Sequence, residues 1–107
     1  MTFSNKLSDA ELERLAILAE ELGEAQQIVG KIIRHGYNSR NPLESDSLTN
    51  RSMLTIELGD IIFAINQLTD NYDIDGRMVG RRVLEKAEKI KPYLHHQAVG
   101  ERSATTK

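Results

Sequence analysis

Leu18-Ala19-Glu20-Glu21-Leu22-Gly23-Glu24 and Ile56-Glu57-Leu58-Gly59-Asp60-Ile61-Ile62 are the two stretches that decide how this chain is read. Each sets acids three residues apart inside a largely apolar run: Glu21 with Glu24, and Glu57 with Asp60. Residues three or four apart share one face of a helix. Two such helices packed together bring at least four carboxylates to one place. That arrangement is unfavourable unless something positive sits between them.

Outward from the first stretch, Leu15, Leu18, Leu22, Ala25, Val29, Ile32 and Ile33 recur with the 3.6-residue period of a helix, and Ile17 and Ile28 widen that side. Ser8 with Glu11 three residues on makes a capping box, and Gly36 is a natural stop, so the spacing predicts a helix from Asp9 to His35. Gly23 and Gly30 each cost about 1 kcal/mol of helix propensity against Ala. Close helix packing is the ordinary reason to accept that cost. The second stretch lies in a helix predicted from Thr49 or Asn50 to about Asn71. Its apolar residues, Met53, Leu54, Ile56, Leu58, Ile61, Ile62, Phe63, Ile65 and Leu68, cover most of the circumference, the pattern of a central helix.

Between these helices, residues 37–49 show no apolar period and read as a long loop rich in Asn, Ser and charge. Loops of that length in small domains are often functional or mobile. A third helix is expected from about Ile74 to Lys91, ended by Pro92, with Met78, Val79, Val83, Leu84, Ala87 and Ile90 between basic residues. Residues 1–7 read as a flexible arm, 8–96 as one helical domain and 97–107 as a disordered tail. The fold class is therefore all-α, a helical bundle. Its first helix alone would span about 40 Å. Three helices cannot easily enclose a central apolar one, so the core is expected to be completed by oligomerisation.

Composition narrows the function. The 107 residues fit one domain, and 39% hydrophobic with 28% charged residues is an ordinary globular balance. A net charge of -2 argues against a general nucleic-acid binder. The absence of Cys excludes disulfides and thiolate chemistry. The N-terminal residues show no apolar signal region and no apolar run is long enough to span a bilayer, so no membrane partner and a cytoplasmic location are expected.

Helical acids usually pair with Lys or Arg a turn away, but here no Lys or Arg occurs between Arg14 and Lys31 or between Arg51 and Arg77. Glu57 and Asp60 have Met53, Ile56, Ile61 and Ala64 at their i±4 positions. A carboxylate ionised in such surroundings without a partner is strongly disfavoured. The pattern points to a carboxylate cage for a hard divalent cation. Several acids with no His or Cys nearby favour Mg²⁺, with Mn²⁺ as a substitute, over Zn²⁺. A di-iron bundle would need Glu-x-x-His, and that spacing does not occur.

A cation that serves a phosphate substrate should have basic side chains close by. Lys31 lies two turns beyond Glu24 on the same stripe, and Arg34, His35 and Asn38 follow at the mouth of the loop. Lys31 and Arg34 could neutralise phosphate charge, and equally they complement the dipole at a helix C-terminus. The third helix carries Arg77, Arg81, Arg82, Lys86, Lys89 and Lys91, mostly a solvated face, from which Lys86 is the candidate to reach the site.

Glu20-Glu21-x-x-Glu24 followed by Glu57-x-x-Asp60 resembles the E-E-x-x-E…E-x-x-D signature of the all-α nucleoside triphosphate pyrophosphohydrolases, and the fuller stretches are most similar to its MazG-like branch. Lys31-Ile32-Ile33-Arg34-His35-Gly36 is similar to a basic segment of small MazG-like proteins. The resemblance covers roughly residues 12–95. It implies Mg²⁺-dependent hydrolysis of a nucleoside triphosphate between its α and β phosphates, giving the monophosphate and pyrophosphate. It implies Glu21, Glu24, Glu57 and Asp60 as metal ligands, and Glu20 and Glu21 as the catalytic acids. Glu20 would bind a further metal or orient the attacking water. It also implies a homo-oligomer, dimer or tetramer. The chain departs from compact family members in its long 37–49 loop, which leaves the base contacts unassigned; Asn66 is one candidate. The rival reading is a catalytically degenerate helical oligomerisation or interaction module, which explains the helices but not the unpaired acids.

Overall fold

The computed structural model describes residues 3–44 and 46–97. It is all-helical: α1 (Asp9–His35), α2 (Asn50–Asp70), α3 (Gly76–Lys89) and a short 3-10 helix (Lys91–Tyr93). Residues 3–7 are exposed and carry no regular structure. Residues 1–2 of the expected arm, and all of the expected tail but Gln97, lie outside the described residues.

The N-terminus of α1 is fixed as its sequence dictates. Ser8 accepts from the Glu11 amide at 3.0 Å while Glu11 accepts from the Ser8 amide at 2.8 Å, a complete capping box. Gly36 ends the helix at φ +89°, a backbone conformation that side chains other than glycine rarely adopt. Thr49 caps α2 by accepting from the Ser52 amide. The third helix is shorter than its apolar pattern predicts. Asp75 accepts from the amides of Arg77 and Met78, and this cap sets the first helical residue at Gly76. At the other end Pro92 sits inside the 3-10 helix, after α3 has closed at Lys89.

The chain divides into two compact units, Met1–Ile74 and Asp75–Lys107. The first is a hairpin of α1 and α2. Arg14 near the start of α1 meets Asp73 beyond the end of α2, and Gly36 at the end of α1 meets Asn50 at the start of α2, so the helices run antiparallel. The Arg14–Asp73 pair is bidentate, Nε to Oδ2 at 2.6 Å and Nη2 to Oδ1 at 2.9 Å, and largely shielded from solvent. It staples the open end of the hairpin. The hydrogen bond with Arg14 holds the Asp73 carboxyl below its ordinary range. The second unit contains α3 and the 3-10 helix, whose residues are almost all exposed.

One sequence expectation needs correction within the chain. A Cβ built on Gly23 or Gly30 would meet nothing within 4 Å, so neither glycine marks a close helix contact. Within the single chain α2 is not enclosed. Ala64 and Leu68 are buried toward α1, while Ile56, Leu58, Ile62 and Phe63 remain exposed. One neighbouring helix covers one face, and the apolar pattern of α2 is wider than that face.

Candidate metal centre and adjoining cleft

The antiparallel hairpin brings the two acidic stretches face to face. One carboxylate oxygen from each of Glu21, Glu57 and Asp60 lies within 4.8 Å of the others. Their exposure is graded: Glu57 is 5% exposed, Glu21 is half-buried and Asp60 is open to solvent. Glu57 shares the short roll of buried residues with Ile28, Ala64, Leu68 and Asn50. Its Oε2 is the one buried side-chain oxygen or nitrogen among the described residues with no hydrogen-bond partner. No described cation reaches it.

Burial pushes the Glu57 carboxyl up to about 8. The neighbouring Glu24 and Glu21 carboxyls add to the shift, by favouring hydrogen bonding to its neutral form and by like-charge repulsion of its ionised one. Glu24 therefore belongs to the same electrostatic cluster, although it is not part of the tightest oxygen triad. Glu20 is exposed on α1, outside that triad.

The donor set suits a hard cation. An octahedral Mg²⁺ with oxygens at about 2.1 Å spaces them by roughly 3 to 4.2 Å. Oxygens already within 4.8 Å need only small side-chain rotations to close on it. Three carboxylates with no nitrogen or sulfur ligand match the preference of Mg²⁺ or Mn²⁺.

One cavity adjoins the acids, and a second adjoins the first. The first, about 400 Å³, is lined by Glu24 and Glu57 at one end and by Gln27, Ile28, Lys31, Leu48, Met53 and Ile56. The second, about 860 Å³, is lined by Lys31, Arg34, His35 and the loop residues Ser39, Arg40, Asn41, Pro42, Glu44, Ser47 and Leu48, with Asn50 and Met53. Lys31, Leu48 and Met53 line both, so the two cavities are neighbours.

Of the expected substrate-binding residues, Lys31, Arg34 and His35 line the larger cavity, and Lys31 also lines the smaller one. Asn38 and Asn66 are exposed and line neither cavity. Lys86 is exposed on α3, in the second unit. The loop residues of the larger cavity escape the periodicity argument, because a loop has no period to read. Its density of Asn, Ser and Pro, the residues of tight turns, was the available signal.

The loop is built rather than slack. The Asn50 amide donates to the Ser39 carbonyl at 2.9 Å and the Arg51 amide to the Tyr37 carbonyl at 2.8 Å, closing its two ends on each other. Arg40 Nη1 donates to the Ser47 carbonyl at 2.9 Å across the loop. Buried Asn50 donates from Nδ2 to the Gly36 carbonyl at 3.2 Å, and the Arg51 guanidinium lies 4.4 Å over the Tyr37 ring. Ends held together around an internally bonded segment define an Ω-loop.

The chain matches no protein-family model, and neither curated proteins nor solved structures yield a significant match.

Proposed function

We propose that this chain is a Mg²⁺-dependent nucleoside triphosphate pyrophosphohydrolase of the MazG-like type, hydrolysing a nucleoside or deoxynucleoside triphosphate to the monophosphate and pyrophosphate. The observation that carries the reading is the unpartnered, buried Glu57 oxygen beside Glu21 and Asp60, in the wall of a cavity that Lys31 also lines. A buried acid held among other acids needs a cation, and a cation next to a basic cleft suits a phosphate substrate.

In this reading Glu21, Glu24, Glu57 and Asp60 hold the metal. When bound, Mg²⁺ supplies polarisation of the phosphoryl oxygens and acidifies a water. Glu20 and Glu21 orient the attacking water and receive its proton. Lys31 and Arg34 neutralise the phosphate chain, where charge-assisted bonds are strong. The water oxygen joins the α-phosphorus, and the bond to the oxygen bridging to the β-phosphorus breaks, with pyrophosphate leaving. No side-chain nucleophile is required.

The same reading makes the chain a homo-oligomer, dimer or tetramer, with Lys86 a candidate contribution from a neighbouring copy. It places the protein in the cytoplasm, with no nucleic-acid partner. No helix among the described residues is long and apolar enough to cross a membrane.

The deciding experiment is a pyrophosphate-release screen over canonical and damaged nucleoside triphosphates, with and without Mg²⁺. Metal-dependent release of pyrophosphate together with the monophosphate is the expected result. Silence across the panel with no Mg²⁺ binding would overturn the reading in favour of an interaction module. Glu57→Gln and Asp60→Asn should each lower activity by more than the 10–100-fold typical of outer-shell partners. Full activity in either variant contradicts the assigned ligand set.

A further inference from the structure

The larger cavity is more than an extension of the metal site. It shares Lys31, Leu48 and Met53 with the cavity that Glu24 and Glu57 line, and much of its remaining lining comes from the loop. At about 860 Å³ it falls within the roughly 300–1,000 Å³ of small-molecule sites, with room for far more than a phosphate. Lys31, Arg34 and Arg40 bring cations to its wall and Pro42, Leu48 and Met53 offer apolar surface, with Lys31, Leu48 and Met53 shared with the metal cavity. Glu44 is the only carboxylate among the described residues that line it. Asn41 Nδ2 donates to Glu44 Oε1 at 3.2 Å, which orients that side chain.

We propose that the loop cavity is the nucleoside subsite, seating base and sugar against Pro42, Leu48 and Met53, with Glu44 accepting hydrogen bonds from an amino-bearing base. The inference rests on the triphosphate-hydrolase reading of the carboxylate site and adds the substrate class. Lys31 lines both this cavity and the one that Glu24 and Glu57 line, so a nucleoside seated here has a basic residue between it and the carboxylates to receive its phosphates. A carboxylate accepts and does not donate. Adenine, cytosine and guanine each present an exocyclic amino group. Uracil and thymine present carbonyl oxygens in its place, with one ring N–H between them. Glu44 therefore favours the amino-bearing bases.

The test compares kcat/KM for ATP, CTP, GTP and UTP and for inorganic tripolyphosphate, which has no nucleoside. Wild type, Pro42→Trp and Glu44→Gln are assayed with Mg²⁺. The expected wild-type preference for amino-bearing nucleotides over UTP is about tenfold or more, the scale of one discriminating base contact. Pro42→Trp, which fills the loop cavity at a residue that does not line the metal cavity, should raise the KM for every nucleotide by a similar factor and leave tripolyphosphate hydrolysis unchanged. Glu44→Gln should narrow the preference over UTP. It is a nearly isosteric change at an exposed position, so it carries the test if Pro42→Trp fails to fold. Unaltered nucleotide KM and base preference in the variants would overturn the subsite and leave the metal site standing. So would an equal loss toward tripolyphosphate in Pro42→Trp. Wild-type protein that hydrolyses neither nucleotides nor tripolyphosphate would remove the subsite together with the reading beneath it.

Discussion

At the scale of single residues, Glu57 ties the site to a measurable pH dependence. Its carboxyl is raised from an ordinary 4.5 to about 8, first by burial and then by Glu24 and Glu21. Between those values the folded chain binds more protons than the unfolded one, so stability falls as pH rises from about 4.5 to about 8. Thermal melts in EDTA across that range should show the decline. Glu57→Gln should flatten it, melting above wild type near pH 8 and close to it near pH 4.5. Millimolar Mg²⁺ should raise the wild-type melting temperature, more at pH 8 than at pH 6, because the ion competes with the proton on Glu57. A wild-type profile that stays level through this window would contradict the buried, cation-seeking acid. Asp73 works with the opposite sign. Its carboxyl is depressed by Arg14, so its contribution is present above the ordinary Asp value and is lost as pH falls through the depressed one. Asp73→Asn should lower the melting temperature by several degrees at pH 7, and the gap should close in acid. A gap independent of pH would mean that packing, not the ion pair, fastens that end of the hairpin.

At the scale of elements, α1 was legible almost to the residue, because Ser8, Glu11 and Gly36 each have one dominant local reading. The acidic face was legible for the same reason. Spacing of three on two adjacent helices leaves few places for Glu21 and Glu57 except opposite each other. Asn38 and the start of α3 depended on choices that periodicity does not make. Asp75 and Ile74 are both plausible first residues until the Asp75 side chain is seen to accept two amides. The loop's internal bonds were invisible, since backbone pairing such as Asn50 to Ser39 leaves no pattern in side chains. Gly23 and Gly30 were legible as a cost but not as a contact. Open space beside both means that Ala gains helix propensity without a clash inside the chain. Gly30→Ala should therefore stabilise the isolated fold by about 0.5–1 kcal/mol. Chemical denaturation at low protein concentration checks this. Destabilisation would show that another surface approaches Gly30 there.

At the scale of the whole molecule, the apolar residues outnumber the core available to them. Among the described residues only Ile28, Ala64 and Leu68 are buried hydrophobics, while Leu58 is 46% exposed and Ile62 and Phe63 are each 58% exposed. Leu58 and Ile62 are four apart, one turn of α2, so this apolar surface follows a helix face. Met78, Val83 and Leu84 repeat the situation on α3. A small domain buries a limited share of its surface, and a large exposed apolar face marks an interaction site. The homo-oligomer of the proposed function would cover these faces with a second copy of the same helices. Sedimentation equilibrium should then give a dimer or tetramer, and the melting temperature should rise with protein concentration. Ile62→Glu together with Phe63→Glu places charge on that face without touching a residue assigned to the metal, and should shift the protein toward monomer. If neighbouring copies complete the active site, activity should fall in step with dissociation while Mg²⁺ still stabilises the monomer. A wild-type protein that is monomeric at assay concentration, with concentration-independent melting, would assign the exposed apolar faces to some other partner. The hairpin would then have to hold metal and substrate alone.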